Sequence, residues 1–167
     1  MPDYYDPEIQ KSARKSKWYE DVTRSLTKCP FCDLKEKYLI CEQDNVVLTV
    51  NLFPYIDGHL MVIPRRHIAS FDNITKKEWL AMQELLKIGM HLIKSELIIQ
   101  NTNTLYREGA KSGMSLEHLH IHVLPITTDF MRYEKQKFVM EFQEIKFTPL
   151  EMAERLRKAC KKLQLPK

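Results

Sequence analysis

No apolar run in this chain of 167 residues approaches the roughly 20 residues that a membrane-spanning helix requires. The opening stretch, MPDYYDPEIQKSARK, has no apolar core of the kind a signal peptide needs. These two absences predict a cytoplasmic protein with no membrane contact. Internal repeats and low-complexity blocks are missing as well. Nor does one charge dominate: 26 Lys and Arg stand against 22 Asp and Glu, a formal +4, which favours anionic ligands only slightly. The basic residues are scattered among acids and not clustered on one element, so no nucleic-acid partner is expected. Cysteine is scarce, at four residues, and in an intracellular chain these read as thiols or metal ligands and not as disulfides.

What is present fits one soluble globular domain. Hydrophobic residues make up 44% and charged residues 29%, and the length is enough to bury a real core. Residues 1 to 28 are polar, with scattered aromatics such as Trp18 and Tyr19, and predict an extension packed on the domain with a short helix near Trp18. YLICEQDNVVLTVN reads as two strands around a QDN turn, and GHLMVIP as a third, opened by Gly58 and closed by Pro64. TKKE is a capping box with Thr75 as N-cap and Glu78 at the third helical position. Trp79, Met82, Leu86, Met90 and Ile93 follow at helical spacing, an amphipathic helix. ELIIQNTNTLYREG reads as a strand running into a loop. TPLE places a second box at Thr148, with Met152, Leu156, Ala159 and Leu163 on the apolar face of a C-terminal helix. This order predicts an α+β fold on an antiparallel sheet of about five strands.

Six histidines occur in the chain, and three of them stand on alternate positions of EHLHIHVLP, at 118, 120 and 122. On a strand these share one face, while Leu119, Ile121 and Val123 take the other, the core face. The outer two are about 13 Å apart on an extended chain, too far to share one ion at Zn–N distances of about 2.0 Å. A purely metallic explanation therefore fails for at least one of the three. A row of imidazoles suits phosphate, one neutral ring as nucleophile and its neighbour as donor. The CPFC stretch, Cys29 to Cys32, has the spacing of half a zinc site, and also of a redox motif, though the βαβ context of the latter is missing.

HLHIHVL resembles the His-φ-His-φ-His-φ-φ signature, φ being apolar, of the histidine triad superfamily of nucleotide hydrolases and transferases. NLFPYIDGHLMVIPRRHI, Asn51 to Ile68, resembles that superfamily's second characteristic block. The resemblance covers residues 29 to 125 and implies a domain over 29–167. It implies that His120 attacks the α-phosphorus of a nucleotide ester, amidate or anhydride to form a nucleotidyl-histidine. It implies His122 on phosphate oxygens, His59 as an upstream active-site histidine, Ser115 as a phosphate-contacting hydroxyl and Asn51 on the ribose. Arg107 and Met114 depart from the family pattern, which has Asn and Gln there in many members. The zinc-containing branches use a Cys pair, a histidine in the second block and the first triad histidine. That implies a structural Zn2+ on Cys29, Cys32, His67 and His118. FPYIDGHLM with an upstream CPFC is similar to the diadenosine polyphosphate hydrolase and phosphorylase branch. The alternatives are a sugar-1-phosphate nucleotidyltransferase and a non-catalytic nucleotide-binding module. The resemblance also implies a homodimer with a continuous sheet and the Thr75 helix near the dyad.

Overall fold

Alternation of side chains along two central strands sorts the interior into two faces. In a computed structural model, which describes residues 5–16, 18–109, 112 and 115–163, β1 (Leu39–Gln43), β2 (Val46–Val50), β3 (Leu60–Pro64), β4 (Asn101–Tyr106) and β5 (Ile121–Ile126) form one antiparallel sheet. Its order is β1-β2-β3-β5-β4. Asp44 and Asn45 both adopt positive φ, 48° and 60°, and close β1 onto β2 in a two-residue turn matched to sheet twist.

Leu48, Val50, Leu60, Val62, Ile121 and Val123 point to one face and join the main core. Across it lies α3 (Lys76–Glu96), which buries Ala81, Met82, Leu85, Ile88, Gly89, Leu92 and Ile93. The buried stripe is rotated from the sequence expectation. Trp79 is an exposed flank residue, packed edge-on to Phe71 at 5.5 Å, and Leu86 and Met90 are only partly buried. Apolar residues cover more than half the circumference of this helix, so periodicity alone could not choose between neighbouring stripes. The two capping boxes are formed as expected, at Thr75 of α3 and at Thr148 of α4 (Pro149–Cys160). His91 is exposed, and Cys41 and Cys160 are packed against the core, both as expected.

The opposite face carries Thr49, Met61 and His122, in register as Thr49↔Met61↔His122. Ahead of the sheet the extension forms α1 (Pro7–Ser12) and α2 (Trp18–Ser25); Tyr19 and Thr23 of α2 border this face, and in the Cys29–Leu34 segment Phe31 and Leu34 pack on Val47, Met61 and Ile63. The helix near Trp18 is the expected one; α1 was not anticipated. Nor was the hairpin of β6 (Met131–Glu134) and β7 (Lys137–Met140). Its turn uses Lys135 and Gln136 at positive φ, 44° and 65°, without the Asn or Gly that marks such turns in sequence.

Candidate active site and metal centre

The histidine run does its positioning partly before the strand begins. β5 starts at Ile121, so His118 and His120 stand on the segment leading into it and only His122 is in the ladder. The alternation persists. Leu119 and Ile121 enter the core, while the rings of His120 and His122 lie 4.8 Å apart on the other face. Leu119 N–H donates to the Ile68 carbonyl at 2.6 Å, tying this segment to the one that follows β3.

Each imidazole is held in one tautomer by a backbone group or by another ring. His118 donates from Nε2 to the Pro64 carbonyl at 2.7 Å, leaving Nδ1 unprotonated and facing Cys29 Sγ at 3.4 Å and Cys32 Sγ at 3.7 Å. His120 donates from Nδ1 to the His118 carbonyl at 2.6 Å, so its Nε2 carries a free lone pair. Tyr55 N–H donates to His59 Nδ1 at 3.3 Å, which puts the His59 proton on Nε2, 2.8 Å from His122 Nδ1. His122 then accepts at Nδ1 and presents an Nε2–H donor. Gly58, just before His59, takes φ 82°, a left-handed conformation that favours glycine, and a Cβ there would run into the Leu97 side chain.

Burial keeps these rings neutral. It pushes His120 below the ordinary imidazole range, against the hydrogen bond to the His118 carbonyl. It carries His122 down to about 2, helped by the charges of His120, Arg107 and Arg14. His59, fully enclosed, lies well below 6.5 for the same first reason, with His122 and Arg14 next. His120 and His122 open onto a cleft also lined by Asn51, Phe53, Ser115, Phe31 and Tyr19.

Asn51 borders this cleft and is also a strand-end turn residue. Its Oδ1 accepts from Phe53 N–H at 2.8 Å, and its amide nitrogen lies 3.4 Å from Met61 Sδ. Ser115 meets the Tyr19 hydroxyl at 2.7 Å. Met114 lies outside the described residues.

Cys29, Cys32, His67 and His118 converge, with all four ligand atoms within 4.8 Å of one another. His67 Nδ1 is 3.2 Å from Cys32 Sγ. A tetrahedral ion with Zn–S near 2.3 Å and Zn–N near 2.0 Å has N···S edges of about 3.5 Å, so the donor set fits. Its four donors leave no open position.

Sequence reasoning missed Arg14. This residue reaches 39 positions forward to the Phe53 carbonyl at 2.9 Å, and its guanidinium covers the Tyr19 ring at 3.4 Å and the Tyr55 ring at 4.2 Å. No local signal marks it, because it stands in a polar extension. Phe31 was also missed; it packs edge-on against both His118 and His120, at 5.8 and 5.0 Å.

Among known proteins, an uncharacterised HIT-like protein of Mycoplasma genitalium is 32% identical over 105 residues, 60% of this chain and 74% of that one. An AP-4-A phosphorylase of Mycobacterium tuberculosis is 31% identical over 101 residues, 60% of this chain but only 52% of the phosphorylase. In fold, a zinc-bound histidine triad family protein from Mycobacterium smegmatis superposes with a TM-score of 0.60 at 21% identity, covering 83% of this chain and 95% of that one. The HIT domain family model matches residues 34–129, a span that holds both quoted blocks and more than half the chain, and this protein therefore belongs to the HIT domain family.

Proposed function

We propose that this protein is a nucleotide-processing enzyme that works through a nucleotidyl-histidine on His120. The observation that carries this reading is the fixed tautomer of that ring. Its Nδ1–H is committed to the His118 carbonyl, and its basic Nε2 borders the cleft. A neutral imidazole at ordinary pH, held in one tautomer, is a ready nucleophile. In the proposed reaction Nε2 bonds to the α-phosphorus and the bond from phosphorus to the leaving group breaks, its electron pair going to the leaving group. The Nε2–H of His122 donates to a phosphate oxygen, and His59 holds His122 in the donating tautomer. Water or inorganic phosphate then attacks phosphorus, breaks the P–N bond and regenerates neutral His120.

Asn51 and the Leu48–Pro54 stretch would take ribose and base, and Ser115 the α-phosphate. Cys29, Cys32, His67 and His118 would hold a zinc ion with a structural role, tying the extension to the segment that carries His120. The AP-4-A phosphorylase among the relatives, and a bis(5'-adenosyl)-triphosphatase of Dictyostelium discoideum that is 29% identical over 80 residues, support dinucleoside polyphosphates as the substrate class.

We also propose a homodimer, in which the open β4 edge and the exposed Trp79 and Leu80 of α3 approach a second copy. A strictly monomeric mass at micromolar concentration would refute the dimer alone.

The test of function is a panel of dinucleoside polyphosphates, AMP amidates and nucleotide sugars, each incubated with and without inorganic phosphate. Turnover of the polyphosphates, abolished in His120→Ala, is expected. Binding without turnover of any of them would favour the non-catalytic module.

A further inference from the structure

Arg14 stands where the extension meets the triad. Its guanidinium lies against two tyrosines, Tyr19 on the wall of the cleft and the buried Tyr55 beside His59. Tyr19 meets Ser115 through its hydroxyl at 2.7 Å. Tyr55 stacks on the ring of His59 at 4.9 Å, and His59 in turn contacts His122. The cation is thus held between the supports of Ser115 and those of His122, the two groups assigned above to phosphate. Among the described residues only its Nε donates a hydrogen bond, to the Phe53 carbonyl. Among the described residues no carboxylate pairs with Arg14, although ten ion pairs form elsewhere.

An arginine that is aromatic-stacked, anchored at Nε and left without an acid is pre-organised to receive an anion on its terminal nitrogens. One aromatic ring, Tyr19, separates the guanidinium from Ser115, and a second, Tyr55, stands between it and the His59–His122 pair, so the cation lies just beyond the two groups assigned to the α-phosphate.

We infer that Arg14 is a specificity-determining residue, whose guanidinium binds the phosphate beyond the α-phosphate and so favours substrates with a second anionic group over those with a neutral leaving group. This inference rests on the nucleotide reading above. The extension then supplies a cation to the site as well as a wall.

The test is equilibrium titration of the full-length, metal-loaded protein and its Arg14→Gln and Arg14→Lys variants with AMP and with ADP. Wild-type protein should bind ADP at least fivefold more tightly than AMP, the range of a charge-assisted contact. Arg14→Gln should weaken ADP about tenfold while AMP changes by less than about twofold, and Arg14→Lys should keep part of the preference. Equal weakening of both nucleotides would mean that Arg14 only props up the extension, and would overturn the inference. So would a preference for ADP that survives in Arg14→Gln, or wild-type protein that binds ADP no better than AMP. Loss of the His120 adduct from wild-type protein would count against the proposed chemistry, and this ratio of affinities would still be read independently of it.

Discussion

His59 and His122 illustrate how single residues are constrained here. One backbone N–H, from Tyr55, fixes the proton of His59, and His59 fixes that of His122. Both rings are buried and stay neutral in the fold, His122 down to about pH 2 and His59 well below 6.5. In the unfolded chain they titrate near 6.5. Below that value the unfolded state binds more protons than the native state, so stability must fall as pH falls. The slope for each such histidine is about half of 1.4 kcal/mol per pH unit at pH 6.5 and approaches about 1.4 kcal/mol per unit near pH 5.5 and below. Urea titrations between pH 7 and 5 should show this loss, and His122→Asn should flatten it by about one histidine's share. An unchanged slope in the variant would mean that His122 is protonated in the fold. Asn51→Ala should weaken nucleotide binding by about 1–3 kcal/mol. Its side chain also closes the turn to Phe53, so thermal stability should drop along with affinity. Unchanged affinity would remove Asn51 from the site.

At the scale of elements, the N-terminus of α3 connects the helix to the metal segment. Glu78 accepts from the Thr75 backbone and hydroxyl and from both Arg66 Nε and Nη2, at 2.8 to 3.1 Å. Arg66 adjoins His67 in the chain. The hydrogen bond from Arg66 comes first among the causes that bring the Glu78 carboxyl down to about 2, ahead of those from Thr75, with the Arg66 charge last. Its contribution is complete above about pH 4.5 and is lost as pH falls toward 2. Glu78→Ala should cost roughly 2–3 kcal/mol at neutral pH, through the cap and the unpaired Arg66 together, and calorimetry would measure it. The capping boxes at Thr75 and Thr148 were legible because caps are local, spanning four residues. The three strands between residues 39 and 64 were legible as short apolar runs bounded by the QDN turn, Gly58 and Pro64. The hairpin of β6 and β7 was not, since Lys135 and Gln136 enter positive φ without the usual residues, and six-residue α1 is too short for a period to register. The start of β5 was misplaced by three residues because His118 and His120 obey the site's geometry before the ladder forms. Within the site, the converging Cys29, Cys32, His67 and His118 could be named together only through the family resemblance, since the CPFC spacing alone gives half a site. Arg14 and Phe31 could not, because long-range packing alone brings them to the histidines.

Over the whole molecule, one wall of the cleft is an extension that the sheet does not hold through strand pairing. Aromatic contacts of Trp18 and Tyr19 with Phe53, at 5.7 and 5.5 Å, and the Cys29–Cys32 segment hold it there. No helix among the described residues is long and apolar enough to cross a membrane, and Tyr5, Tyr19 and Thr23 of the extension line the cleft. Fresh protein should carry about one zinc per chain, and strong chelation should lower the melting temperature and weaken nucleotide binding together, since ligation couples to folding. Zinc well under half an equivalent would sink the four-ligand assignment. His118→Ala should behave like chelation, whereas His120→Ala should keep zinc, fold and nucleotide binding and lose turnover. The central claim, that His120 carries the nucleotide, is tested most directly by quenching wild-type protein during turnover and mapping the modified residue by mass spectrometry. An acid-labile nucleotidyl adduct on His120 alone is the predicted result, and an adduct on another residue, or substantial turnover by His120→Ala, would contradict it.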